Sequence, residues 1–260
     1  MDLRRTRLLP DTHAHLGDEA FAGDRDDVIR RASRVGVRRV LAVGSDLESS
    51  RAAVACASRY DDVYAAVGLH PHEAGRFPDE AAEIEALLDQ PKVVAVGEIG
   101  IDRGRENWSV DVQTLAFHEQ LAWAQARNLP VSIHNRNADA DVLSALENFS
   151  VVAVLHCFSS SAAFATQALE AGCMLSFAGN LTFPKANSLR EVARSVPAEC
   201  LLIESDAPVL APQPWRGQRN EPARVPAVCE TLAEVRALDV ETVANDVWKT
   251  AERVFRWGAA

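Results

Sequence analysis

The chain has 260 residues, 48% of them hydrophobic and 25% charged. That is the balance of a soluble globular protein with a core, at the length of one α/β barrel domain. A net charge of −10 excludes the globally basic surface with which proteins grip long nucleic acid, and leaves room only for a local contact led by metal, beside a small basic patch at Arg216 and Arg219.

No apolar run approaches the roughly 20 residues of a membrane helix. The opening residues, MDLRRTRLLP, lack the apolar core of a secretory signal. A cytoplasmic protein without membrane contact is therefore expected. Cys56, Cys157, Cys173, Cys200 and Cys229 are odd in number, widely spaced and free of any C-x-x-C pair. They read as small buried hydrophobes rather than a disulfide framework or a thiolate metal site.

Short apolar runs alternate with longer amphipathic ones along the chain. A first strand is expected at 8–12 and a helix at 25–35. Strands follow at 39–43 and 63–68, a helix at 79–89, a strand at 93–97, and a helix at 112–127. Strands at 130–133 and 151–155 precede a helix at 164–171, which Gly172 stops. Strands at 174–177 and 201–203 come next, and helices at 224–237 and 241–255 close the chain. The strand runs are β-branched or leucine-rich and bounded by Gly, Pro or Asp, as buried strands are.

Strands followed each by a helix or helical loop predict a (β/α)8 TIM barrel of the α/β class, as a single domain over 1–260. A doubly wound open sheet is the alternative. It would carry a Gly-rich phosphate fingerprint after the first strand, where Asp11-Thr12-His13-Ala14-His15 stands instead.

The histidines fall in a pattern. His13 and His15 follow the first strand, His70 and His72 the third, Glu98 the fourth, His134 the fifth, His156 the sixth and Asp206 the eighth. In a barrel these positions share the C-terminal face. Only His118 lies elsewhere, within a helix. Apolar strands ending repeatedly in His or Asp are costly unless those groups are satisfied, and a metal satisfies them. Side chains two residues apart on an extended strand point the same way, so His13 and His15 reach one cation. Glu98 and Asp206 supply oxygens to it from across the barrel. His134 and His156 are placed to hold a second cation, with Glu98 between the two. Imidazole and carboxylate together suit Zn2+, Mn2+ or Mg2+. Two such ions activate water for attack on a phosphoryl or carbonyl centre, with Asp206 as general base.

Eight blocks carry a resemblance: DTHAHL (11–16), GLHPH (68–72), GEIGID (97–102), PVSIHNR (130–136), LHCFS (155–159), GNLTFPK (179–185), ESDAP (204–208) and RGQRNEP (216–222). In this order, through nearly the whole chain, they resemble the TatD family of metal-dependent deoxyribonucleases, within the amidohydrolase-like metal hydrolases. The resemblance implies a TIM barrel with one or two divalent metals. It implies His13, His15, Glu98 and Asp206 on one metal and Glu98, His134 and His156 on the other. It implies hydrolysis of DNA, often from the 3′ end of single strands, with His70, His72 and Arg136 near the scissile phosphate. A monomer acting on single-stranded DNA ends is expected. Arg219, Asn220 and Glu221 are expected to order the loop after the eighth strand, with Pro222 opening a helix.

The chain departs from the family pattern in the stretch Arg103-Gly104-Arg105-Glu106-Asn107-Trp108, where many relatives have an aromatic residue directly after the aspartate. Ser205 replaces a usual Thr, and Thr250 a usual Asn. The rival reading is a metal-dependent amidohydrolase or esterase acting on a small molecule or aminoacyl-tRNA. Such enzymes often bridge their metals with a carboxylated lysine at a strand end. The three lysines, Lys92, Lys185 and Lys249, do not stand at such positions. A barrel that has lost catalysis would show eroded ligands, and all six are present. Trp108, Trp215 and Trp248 either pack or stack on bases, with packing expected.

Overall fold

A computed structural model describes residues 8–105 and 107–257. Readings that involve the first seven residues, and Glu106 within the departing stretch, lie outside the described residues. The apolar runs form one sheet of eight parallel strands in sequence order. These are β1 (Leu9–Ala14), β2 (Val37–Val43), β3 (Val63–Val67), β4 (Val93–Asp102), β5 (Val131–Arg136), β6 (Ala153–Leu155), β7 (Met174–Phe177) and β8 (Leu201–Ile203). The end of β1 meets the segment beyond β8 through a parallel bridge between Ala14 and Ala207. His15 N donates to Ala207 O at 2.7 Å and Asp206 N to His13 O at 2.9 Å. The expected barrel is thus closed by the backbone of residues that also carry the polar centre.

Side chains alternate across the strands. On β2 and β3, Val40, Ala42, Val63 and Ala65 pack outward with the helices, while Leu41, Val43, Tyr64 and Ala66 fill the interior. The interior near the strand starts is apolar. Phe255 and Trp257 plug it, with Trp257 stacked on Phe255 at 5.2 Å and on Tyr64 at 5.8 Å. The strand ends carry the polar residues, so chemistry is confined to one mouth.

The expected helices form as α1 (Arg25–Arg34), α3 (Phe77–Leu87), α4 (Val110–Arg127), α6 (Ala162–Glu170), α8 (Val225–Arg236) and α9 (Val240–Phe255). Three more complete the ring: α2 (Leu47–Arg59), α5 (Asp139–Leu146) and α7 (Asn187–Ser195). They are short, as in α5 and α7, or present small buried side chains, as α2 does with Ser50, Ala53, Cys56 and Ala57. The start of α2 was nonetheless marked by a capping box between Asp46 and Ser49. Pro222 opens a short 3-10 turn (Pro222–Arg224) that leads into α8, rather than the α-helix itself.

β4 runs five residues beyond the expected 93–97, to Asp102, and is buried almost throughout. Glu98 therefore sits inside the strand, not after it. Glycine permits this extension. Gly100 has φ 141°, and a Cβ there would lie 2.0 Å from His134 O on the adjoining β5. Gly100→Ala should lower stability to urea by about 3 kcal/mol. Gly23→Ala, where no atom lies within 4 Å of the added Cβ, should change it little. Equal midpoints for the two variants would contradict this packing.

Candidate active site and metal centre

The site is built on Glu98, a carboxylate left 4% exposed in the barrel throat. Its Oε2 lies 3.6 Å from His13 Nε2 and 3.6 Å from His15 Nε2. Its Oε1 lies 2.8 Å from His156 Nε2, 2.9 Å from His134 Nδ1 and 3.3 Å from His70 Nε2. Asp206 Oδ1 stands 4.0 Å from His13 Nε2 and 3.8 Å from His15 Nε2. The two latter nitrogens are themselves 3.3 Å apart. All six residues expected as ligands thus meet at one point.

The far side of each ring is held as well. Ser132 Oγ lies 3.1 Å from His13 Nδ1, Glu204 Oε1 3.3 Å from His156 Nδ1, and Asp102 Oδ2 3.1 Å from His134 Nε2. Such outer partners fix ring orientation and tautomer, leaving the inner nitrogen free to bind. The rings of His13 and His156 stack at 4.0 Å. Asp11 accepts from Ser205 N at 2.8 Å and Ser205 Oγ at 2.6 Å. Asn220 Nδ2 donates to Ser205 O at 2.7 Å and Val209 O at 2.8 Å. These bonds hold Asp206 in a left-handed conformation, φ 55°. As expected, Arg219 pairs with Asp24 and Glu221 with Arg31, tying the same loop to α1.

His70 sits deeper than a rim residue. Its Nδ1 accepts from His72 N at 3.0 Å, which turns Nε2 toward Glu98. His72 stands one layer out, 2.7 Å from Asp102 Oδ2. Arg136 is exposed at the end of β5 and lines the same cavity of about 850 Å3 as His15, His70, Glu98 and Asp206. The stretch after Asp102 shapes the cavity wall. Arg103 is bound to Asp141 at 2.6 and 2.8 Å, Arg105 lines the cavity, and Trp108 Nε1 donates to His72 O at 3.0 Å. Trp215 lies under Arg224 and Trp248 under Arg39; neither lines the cavity. His118 is remote, edge-on to Phe149.

Sequence reasoning singled out neither Asp102 nor Glu204, although both lay in plain motifs. The available signal was a carboxylate at the end of an apolar run, GEIGID and LLIE, where burial is costly unless a partner waits.

The charge state of the site is unusual. Burial works against Glu98, but the imidazoles of His70, His156, His13 and His134 hold its carboxyl well below the usual range. Burial also opposes charge on His156, yet Glu98 and Glu204 outweigh it and push the ring well above its ordinary value. Burial, with His156 opposite, lowers His13 to about 4. Burial raises Asp206 to about 8, with Glu204 and Glu98 adding to it, and Asp11 to about 7.

The donor set fits divalent ions. The nitrogens and oxygens around His13 and His15 are spaced 3.3 to 4.0 Å, close to the tetrahedral edge of about 3.4 Å set by metal–ligand bonds of about 2.1 Å; His156 and His134 lie closer to Glu98, at 2.8 and 2.9 Å. The triad His13-His15-Asp206, with ligand atoms within 4.8 Å of one another, falls inside the expected set, while the triads His70-Glu98-His134 and His13-His156-Glu204 each bring in one residue outside it, His70 or Glu204. No lysine among the described residues competes for the bridging position. Lys92 is bonded to the carbonyls of Ala57, Tyr60 and Asp61. Lys185 lies in a neighbouring groove and Lys249 in α9.

A family model described as TatD related DNase matches residues 10–256. An uncharacterized metal-dependent hydrolase, YabD, of Bacillus subtilis is 40% identical over 253 residues, covering 96% of this chain and 99% of its own. A 3'-5' ssDNA/RNA exonuclease TatD of Pectobacterium carotovorum is 34% identical over 256 residues, covering 95% and 98%. The crystal structure of YjjV, a TatD homologue from Escherichia coli, superposes with a TM-score of 0.88 at 29% identity, over 95% of this chain and 98% of that one.

The charge balance has a measurable consequence. Asp206 and Asp11 have raised folded values, so their contribution to stability is present in acid and lost as pH rises toward about 8 and about 7. His13 has a lowered value, so its contribution is present above its unfolded value and lost as pH falls toward about 4. Chelated protein should therefore lose melting temperature between pH 6 and about 8.5, and added Mn2+ should restore more at the alkaline end, because binding displaces protons. An equal gain at both ends in thermal scans would contradict the assignment of cation sites to these groups.

Proposed function

The chain belongs to the TatD-related DNase family of metal-dependent hydrolases, and on that footing we propose that it hydrolyses phosphodiester bonds of single-stranded DNA from the 3′ end with two divalent ions. The observation that carries this reading is Glu98, one of whose oxygens faces His13 and His15 while the other faces His134 and His156. In this reading His13, His15, Glu98 and Asp206 hold one ion, Glu98, His134 and His156 hold the second, and the ions are Mg2+, Mn2+ or Zn2+. When bound, such ions supply Lewis-acid polarisation of the phosphate and a water of lowered pKa.

The rest falls to the chain. The mouth holds buried Asp11, Glu98, Asp102, Glu204 and Asp206, and these repel a phosphodiester until their charge is balanced, which makes activity depend on metal. Asp206, fixed by the bonds that Ser205 and Asn220 make around it, orients the attacking water and takes its proton at the carboxylate. His70, His72 and Arg136 line the cavity. They hold the non-bridging phosphate oxygens, where negative charge grows in the transition state. Asp102 and Trp108 keep the His72 loop in place for that contact. The relative from Pectobacterium carotovorum, named for ssDNA and RNA, supports a single-stranded substrate.

The test is chelation and reloading with Mg2+, Mn2+ or Zn2+, assayed on 3′-labelled single-stranded DNA beside a panel of small esters and amides. Cleavage should vanish on chelation and return with metal. Asp206→Asn should lower kcat on the order of 10^3-fold with no fall in melting temperature. Background DNA cleavage together with strong amidase turnover would replace this reading by that of an amidohydrolase.

A further inference from the structure

A second groove adjoins the active-site cavity. Ser159 lines both, and the groove continues over about 460 Å3 past Asn180, Phe183, Pro184, Lys185 and Arg216. We propose that this groove seats the body of a single-stranded polynucleotide, one or two nucleotides from the cut. The proposal rests on the phosphodiesterase reading above and adds a subsite to it.

Unpaired positive charge is the first observation. Most described Arg and Lys side chains are engaged. Arg103 is bound to Asp141, Arg127 to Glu85 and Asp89, Arg219 to Asp24, and Lys92 and Arg236 to backbone carbonyls. Among the described residues, the side chains of Arg105, Arg136, Lys185 and Arg216 have neither a carboxylate nor a hydrogen-bond acceptor. Arg105 and Arg136 line the active-site cavity; Lys185 and Arg216 line the adjoining groove. The other cations in that condition, Arg34, Lys249 and Arg256, line neither. On a chain of net charge −10, free cations gathered along one path from the reacting centre match a phosphate backbone.

The second observation is a stacking platform. The Arg216 guanidinium lies 4.4 Å over the centre of the Phe183 ring, with Pro184 and Leu189 beside it. Arg216 is exposed, and a planar guanidinium backed by an aromatic ring accepts a base in stack.

The third is a pair of orphaned acceptors. Asn180 Oδ1 and Asn135 Oδ1 are buried without a donor. Asn180 lines the groove, and Asn135 lines the cavity and the pocket shared with Ser159. Asn135 Nδ2 is committed to Asp139 Oδ1 at 2.7 Å, which fixes the amide orientation. Phosphates offer no donor to these oxygens; the amino group of a base does, once a small turn of the Asn side chain opens the buried oxygen to the groove.

The test compares wild type with Lys185→Ala/Arg216→Ala on two metal-dependent reactions, a deoxyadenosine octamer and bis-p-nitrophenyl phosphate, which is too small to reach the groove. A separate arm measures binding of a labelled octamer by fluorescence anisotropy in the Asp206→Asn background. The double variant should raise KM and Kd for the octamer about tenfold and leave the small diester unchanged. The salt slope of binding should flatten by about 0.7 for each cation removed. Unchanged octamer binding, or equal losses on both substrates, would overturn the groove. If wild type cleaves neither substrate, the phosphodiesterase reading fails, while the binding arm still decides whether the groove takes a single strand.

Discussion

A carboxylate held in the throat of a barrel must find positive charge or hydrogen-bond donors on every lone pair, and Glu98 finds imidazoles on both oxygens. Much of the molecule follows from that requirement. β4 must run deep enough to deliver Glu98 to the axis, which needs glycine at 100 so that β5 closes against it. β1 must present His13 and His15 to one oxygen while β5 and β6 present His134 and His156 to the other. The outer nitrogens must be tied, and Ser132, Asp102 and Glu204 tie them. Even barrel closure takes part, since the bonds joining β1 to the segment after β8 run through His13 and Asp206.

The barrel divides stability from chemistry along its axis. Phe255, Trp257 and Tyr64 seal the strand starts with apolar contact. The strand ends gather buried acids whose mutual repulsion is relieved only by protonated histidines, a protonated Asp206, or bound cations. Held without cations, such a centre works against stability.

Much of this was legible in the sequence because the signals were local. Alternating apolar runs marked the strands, and the H-x-H spacing of His13 and His15 already implied a shared target. What escaped notice depended on distance. Glu98 read as following its strand because GEIGID looks like the start of a loop, whereas burial on every side makes it strand. Asp102 and Glu204 act on histidines of other strands, 32 and 48 residues away, which no spacing rule reports. His70 read as a rim residue, and its turn toward Glu98 depends on a hydrogen bond from the His72 amide. Helix α2 hid in an alanine-rich run, whose buried stripe of Ser50, Ala53, Cys56 and Ala57 is made of small side chains rather than large apolar ones.

The account stands on one carboxylate shared between two cation sites. Equilibrium dialysis against Mn2+, comparing wild type with Glu98→Gln, tests that most directly. The account predicts two ions per chain in the wild type and weakened binding of both in the variant. A single ion in the wild type, or two ions held at unchanged affinity by Glu98→Gln, would contradict it.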